Sequence, residues 1–136
     1  MLLGCCDLQN AFTTVASKVG SGGGKLNIYL NHPCLVSFAR NVLILKVVSD
    51  QHFNVDDRNM DYLWDLWYNV EWPQNTLERF EKDVKSLIEE ELPDEQHFHL
   101  NKSLLDSLKD VWNSWLFTAG ETLTQPLNME NVLKDR

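Results

Sequence analysis

Apolar positions recur along this chain with periods that predict two short strands followed by a series of helices. Met1 to Leu3 form an apolar run that stops at Gly4, after which Leu8, Ala11, Phe12, Val15 and Ala16 recur at helical spacing. A buried strand that turns tightly into a helix over residues 8–19 has this pattern, and Asp7 stands where the helix N-cap belongs. Lys25 to Asn31 reads as a second strand, ended by Asn31-His32-Pro33. Proline suits the first turn of a helix, with Asn31 or His32 as the cap. Leu35, Val36, Phe38, Ala39, Val42, Leu43, Leu45, Val47 and Val48 then cover most of a helix circumference. A helix apolar nearly all round is expected to lie buried against a sheet. A strand over the β-branched run Val42 to Val48 is the alternative.

The second half reads as helical. Asn59 is the expected cap of a helix with Met60, Leu63, Trp64, Trp67 and Tyr68 on one face, Val70 being a further candidate for it, ended by Trp72-Pro73. Asn75 with Glu78 resembles a capping box before Leu77, Phe80, Val84, Leu87 and Ile88, and Glu89-Glu90-Glu91 opposes the dipole at the end of that helix. Ser103 with Asp106 opens a last helix carrying Leu104, Leu105, Leu108, Val111, Trp112, Trp115 and Leu116. Two parallel strands and a helix between them predict an α/β fold: a Rossmann-like parallel sheet, incomplete, with a helix-rich C-terminal half. Residues 1–120 are expected to form one domain and residues 121–136 a partly ordered tail. With only Met1 to Leu3 ahead of the first turn, either that strand is clipped or the chain is a fragment of something larger.

Composition narrows the partner classes. Across 136 residues, 12 Lys and Arg against 20 Asp and Glu give a net charge of −8. That field repels phosphate backbones and anionic lipid, and the cations are scattered, so neither nucleic acid nor a membrane surface is an expected partner. Three cysteines, two of them adjacent, make no disulfide framework. No stretch resembles a signal peptide or a spanning helix, so a soluble cytoplasmic chain with reduced thiols is expected.

The first turn is the candidate ligand site. A dinucleotide or S-adenosylmethionine site needs glycines that let the ligand approach the backbone, helix amides facing it, and an acidic residue at the end of the second strand. Here Gly4 is followed by Cys6 and Asp7, with uncharged Asn31 at the ribose position. The expected role is structural, with Gly4, Cys6, Asp7 and Asn31 as the cofactor-binding set only if a ligand is retained. The loop Gly20-Ser21-Gly22-Gly23-Gly24 is no Walker loop, because Val19 and Leu26 stand where it needs glycine and Ser or Thr. Metal is not expected: adjacent Cys5 and Cys6 point apart on an extended segment, and His97 with His99 would supply two ligands alone. No catalytic constellation surrounds Cys6. Five tryptophans, Trp64, Trp67, Trp72, Trp112 and Trp115, are many for this length. At helical spacing they read first as core, and any that are exposed would form one partner patch.

Three blocks, Leu2-Leu3-Gly4-Cys5-Cys6-Asp7-Leu8-Gln9-Asn10, Leu26-Asn27-Ile28-Tyr29-Leu30-Asn31 and Ala39-Arg40-Asn41-Val42-Leu43-Ile44-Leu45, resemble one uncharacterised domain. That domain stands at the N-terminus of MYND-type zinc finger proteins and, in related form, in an axonemal dynein assembly factor. Cys6 replaces the family's second glycine, Gln9 its arginine and His32 its aspartate. The resemblance implies a methyltransferase-like Rossmann topology, generally without activity, and three cysteines cannot supply the MYND finger. The expected function is a non-catalytic protein-interaction or assembly module. An S-adenosylmethionine-dependent methyltransferase-like domain is the rival.

Overall fold

A computed structural model describes residues 2–3, 8–20, 22, 26–50, 52–68, 71–89 and 99–124. The elements run β1 (Leu2–Leu3), α1 (Gln9–Gly20), β2 (Leu30–Asn31), α2 (Leu35–Ser49), α3 (Asp57–Tyr68), α4 (Gln74–Glu89) and α5 (Lys102–Thr124). The helices hold 76% of the described residues, which overturns the Rossmann-like, methyltransferase-like sheet. All that is found of it is a two-residue parallel pairing, Leu2 with Leu30 and Leu3 with Asn31. The physical reason lies in the second expected strand. A parallel strand is buried on both faces and reads as a continuous apolar run. Here Leu26, Asn27, Ile28 and Tyr29 are all exposed, and only Leu30 and Asn31 join a ladder.

The chain divides into two compact units, Met1–Tyr68 and Asn69–Arg136. In the first, α2 is the central element. Its buried residues Phe38, Ala39, Asn41, Val42, Leu43, Ile44 and Val47 point in every direction around the axis. Val42 to Val48 is therefore helix, and an all-round apolar helix is satisfied without a sheet. α3 packs on α2, with Tyr62 and Leu66 buried. α1 buries Ala11, Leu8 is buried just ahead of it, and Phe12 meets Trp67 of α3 edge-on at 5.9 Å between ring centroids. Two polar side chains, Asn41 and Asp65, are buried in this unit, and Asn41 Oδ1 has no hydrogen-bond partner among the described residues.

The second unit pairs α4 with α5. Phe80, Val84 and Leu87 make the buried stripe of α4, facing Leu108 and Trp112 of α5. Phe80 of α4 lies 6.0 Å from the ring of Trp115 of α5 between ring centroids. Trp72 lies edge-on to Phe80 at 4.9 Å.

The helix starts differ from the expected ones by a residue or more. Cys34, and neither Asn31 nor His32, is the N-cap of α2, and His32 Nδ1 instead accepts from the Cys34 amide at 3.0 Å. Pro73 supplies the carbonyl that the Leu77 amide bonds at 3.1 Å, so α4 begins before Asn75. Asn101 caps α5, its Oδ1 accepting from the Leu104 amide at 2.8 Å, two residues ahead of Ser103. The Asp7 cap and the Glu90-Glu91 end lie outside the described residues.

Two consequences for stability follow. Replacing Ile44 by alanine empties a site closed on all sides and should cost about 2–5 kcal/mol in urea unfolding, with Trp112→Ala costing about 3–5, whereas Val36→Ala, on an exposed side chain, should stay within about 0.5. Asn41→Leu fills the same space without an unpaired carbonyl oxygen and should raise stability by about 1 kcal/mol. A loss on Asn41→Leu would reveal that the amide is hydrogen-bonded.

Candidate functional site

The residues that set α3 in place begin in the loop before it. Asp50 Oδ1 accepts from the His52 amide at 2.8 Å, and the Asp50 carbonyl accepts from the Phe53 amide at 2.9 Å, closing a turn. Asp56 is the N-cap: its Oδ1 accepts from the Asn59 amide at 2.8 Å and its carbonyl from the Met60 amide at 2.9 Å. Asn59, the expected cap, lies inside the first turn, where its Nδ2 reaches back to the Asn54 carbonyl at 2.8 Å. Asp57 in the first turn complements the positive end of the helix dipole.

With that start fixed, α3 turns an unexpected side inward. The buried residues are Tyr62, Asp65 and Leu66. Met60, Trp64 and Tyr68, expected to face the core, are 47%, 63% and 61% exposed. They stand at i, i+4 and i+8, so they form one stripe along the helix. Leu63 and Trp67 lie half-buried at its edge. The rings are coupled: Trp67 stacks on Tyr68 at 5.8 Å with planes 8° apart, and Trp64 tilts against Tyr68 at 4.8 Å. Since Phe12 of α1 holds the edge of Trp67, the outward rings are braced from the core.

The five tryptophans thus divide. Trp64 is exposed and Trp67 is half-buried beside it on α3. Trp112 is fully buried in the second unit and serves as core, while Trp72 and Trp115 are half-buried around Phe80. The outward stripe is legible in the sequence as a face of α3, and Tyr62 with Leu66 forms a competing stripe on the same helix. That second stripe was the missed signal.

Of the set Gly4, Cys6, Asp7 and Asn31, the first three lie outside the described residues, and Asn31 is exposed at the end of β2. His97 lies outside them too. Among the described residues no group of three His, Cys, Asp or Glu side chains could hold a metal ion. Cys34 is exposed at the start of α2. The Ser37 hydroxyl beside it, followed by the Ser37 amide, draws its thiol below the ordinary range, as a helix N-terminus does for a thiolate. No helix among the described residues is long and apolar enough to cross a membrane.

No curated protein matches the chain, and no solved structure does. A domain family of unknown function, DUF4470, matches residues 1–72, a span that ends close to the last residue of the first unit, Tyr68. It takes in all three sequence blocks and the whole outward face of α3. With more than half of its residues in that match, the chain belongs to the DUF4470 family.

Proposed function

We propose that this chain is a non-catalytic protein-interaction or assembly module whose docking face is the outward stripe of α3. The observation that carries the reading is the exposure of Met60, Trp64 and Tyr68 in one line on a helix whose opposite side is already buried. Exposed apolar side chains scattered singly need no explanation, but contiguous ones mark contact sites. Tryptophan and tyrosine are the side chains most enriched among residues that carry binding energy, because they bury a large rigid surface at low entropic cost. Bracing of the rings by Phe12 reduces what is left to immobilise on binding. The resemblance to the domain at the N-terminus of MYND-type zinc finger proteins, and to an axonemal dynein assembly factor, also supports an assembly role over a catalytic one. The enzymatic rival relied on a methyltransferase-like sheet, which the helical fold replaces.

A photo-crosslinking amino acid at position 60 of the full chain, expressed in cells, should give discrete protein adducts, while the same group at Lys82, exposed on α4, should not. Adducts absent from position 60, or equal at both positions, would sink the reading. Trp64→Ala should remove the adducts while changing unfolding free energy by no more than about 0.5 kcal/mol, as for other surface substitutions. Titration of the chain with S-adenosylmethionine at millimolar concentration should leave the melting temperature unmoved. A rise would return a ligand site to the first turn.

A further inference from the structure

The outward stripe has a charge as well as a shape. On a helical wheel, Trp67 and Met60 lie on one flank of the Trp64–Tyr68 centre and Asp61 lies on the other, while Asp57, one turn before Asp61, stands in line with that centre at the start of the helix. Both carboxylates are exposed. Among the described residues neither has an ion pair or a hydrogen bond. Asp57 serves the helix dipole, but Asp61 lies beyond the first turn, where that interaction has faded. Two unpaired carboxylates, one at the head of an aromatic row and one beside it, on a chain of net charge −8, favour an occupant that brings cations to the head and one side of an apolar ridge.

Resting on the interaction reading above, we infer that the partner of α3 is a basic amphipathic helix, with aliphatic or aromatic anchors over Met60, Trp64 and Tyr68 and lysine or arginine opposite Asp57 and Asp61. The geometry of helix against helix fits this occupant: a row at i, i+4 and i+8 is one ridge of a helix surface and packs into the groove of another. The exposed rings also offer faces over which a lysine or arginine gains attraction. A second copy of the chain fits less well. The only cation on α3 is Arg58, so two such faces brought together would oppose like charges. An anionic membrane is disfavoured by the same two carboxylates.

The probe is a synthetic amphipathic helical peptide with leucines at i, i+3, i+4 and i+7 and lysines on both flanks, compared with a twin in which every lysine is glutamate. Calorimetry with the full chain should show binding of the lysine peptide alone, weakening as salt rises. Asp57→Asn with Asp61→Asn should weaken it about three- to tenfold, as expected for two exposed charge pairs. Asp106→Asn with Asp110→Asn, on exposed positions of α5, should leave it unchanged, which separates a local contact from the general field of an acidic chain. Trp64→Ala should abolish it with an unaltered circular dichroism spectrum. If both peptides bind alike and Trp64→Ala removes both, the basic partner is wrong and the docking face stands. Should neither peptide bind, or the two double variants behave the same, the basic-helix inference is overturned. Binding untouched by Trp64→Ala overturns the docking face as well. Binding of phosphatidylserine vesicles in place of the peptide overturns both in favour of a lipid surface.

Discussion

The first unit depends on one constraint: α2 has apolar residues on every side and most of them must be covered. Seven of its fifteen residues are buried, at positions spread around the whole circumference. Burial of a large aliphatic side chain contributes about 1.5–3 kcal/mol relative to exposure, so any arrangement leaving one side of α2 open is penalised several times over. A sheet on one face was the expected cover. Helices provide it instead, and the only strand pairing described is two residues long. Asn41 marks the cost of burying the full circumference, because an amide oxygen is enclosed along with the hydrocarbon.

That demand decides the orientation of α3. This helix carries two apolar stripes, Tyr62 with Leu66 and Met60 with Trp64 and Tyr68, and a helix has only one side to give to α2. Tyr62 and Leu66 take it. Once they do, a hydrogen-bonded entry through Asp56 and Asn59 and the edge contact of Phe12 with Trp67 fix the rotation, and the second stripe must face out. The candidate docking surface is thus a by-product of how the core is filled: covering α2 with one stripe of a doubly apolar helix leaves the other as available surface.

Much of this was legible in the sequence, and the gaps have physical causes. The helical character of Val42 to Val48 could be read despite its β-branched residues, because apolar positions continued around the circumference from Leu35 without a turn signal between. α1, expected over residues 8–19, is found over Gln9–Gly20. Capping was read less well. Asn59, Asn75 and Ser103 all have the right chemistry, yet Asp56, Pro73 and Asn101 begin the helices, because several polar residues precede each helix and spacing alone does not say which one closes the first turn. The sheet failed for another reason. Leu26 to Tyr29 has a strand's residue types, but periodicity cannot tell whether any surface is available to bury them, and here all four are exposed. Which stripe of α3 goes inward is likewise a tertiary matter, settled by the partner helix.

The loss of the sheet also relocates the functional argument. While Gly4, Cys6 and Asp7 stood at the mouth of a parallel sheet, the first turn was the natural place for chemistry, since open α/β sheets bind ligands in the crevice beyond the strand ends. Among the described residues only a two-residue pairing remains of that sheet. What the fold does hold rigidly is α3, tied at its start by side-chain hydrogen bonds and along its length by the burial of Tyr62 and Leu66. Rigid presentation of aromatic side chains is what recognition between proteins requires, because rings already held in place lose little entropy on contact. Residues that order this unit and the outward aromatic stripe therefore belong to one helix, and the family match encloses both.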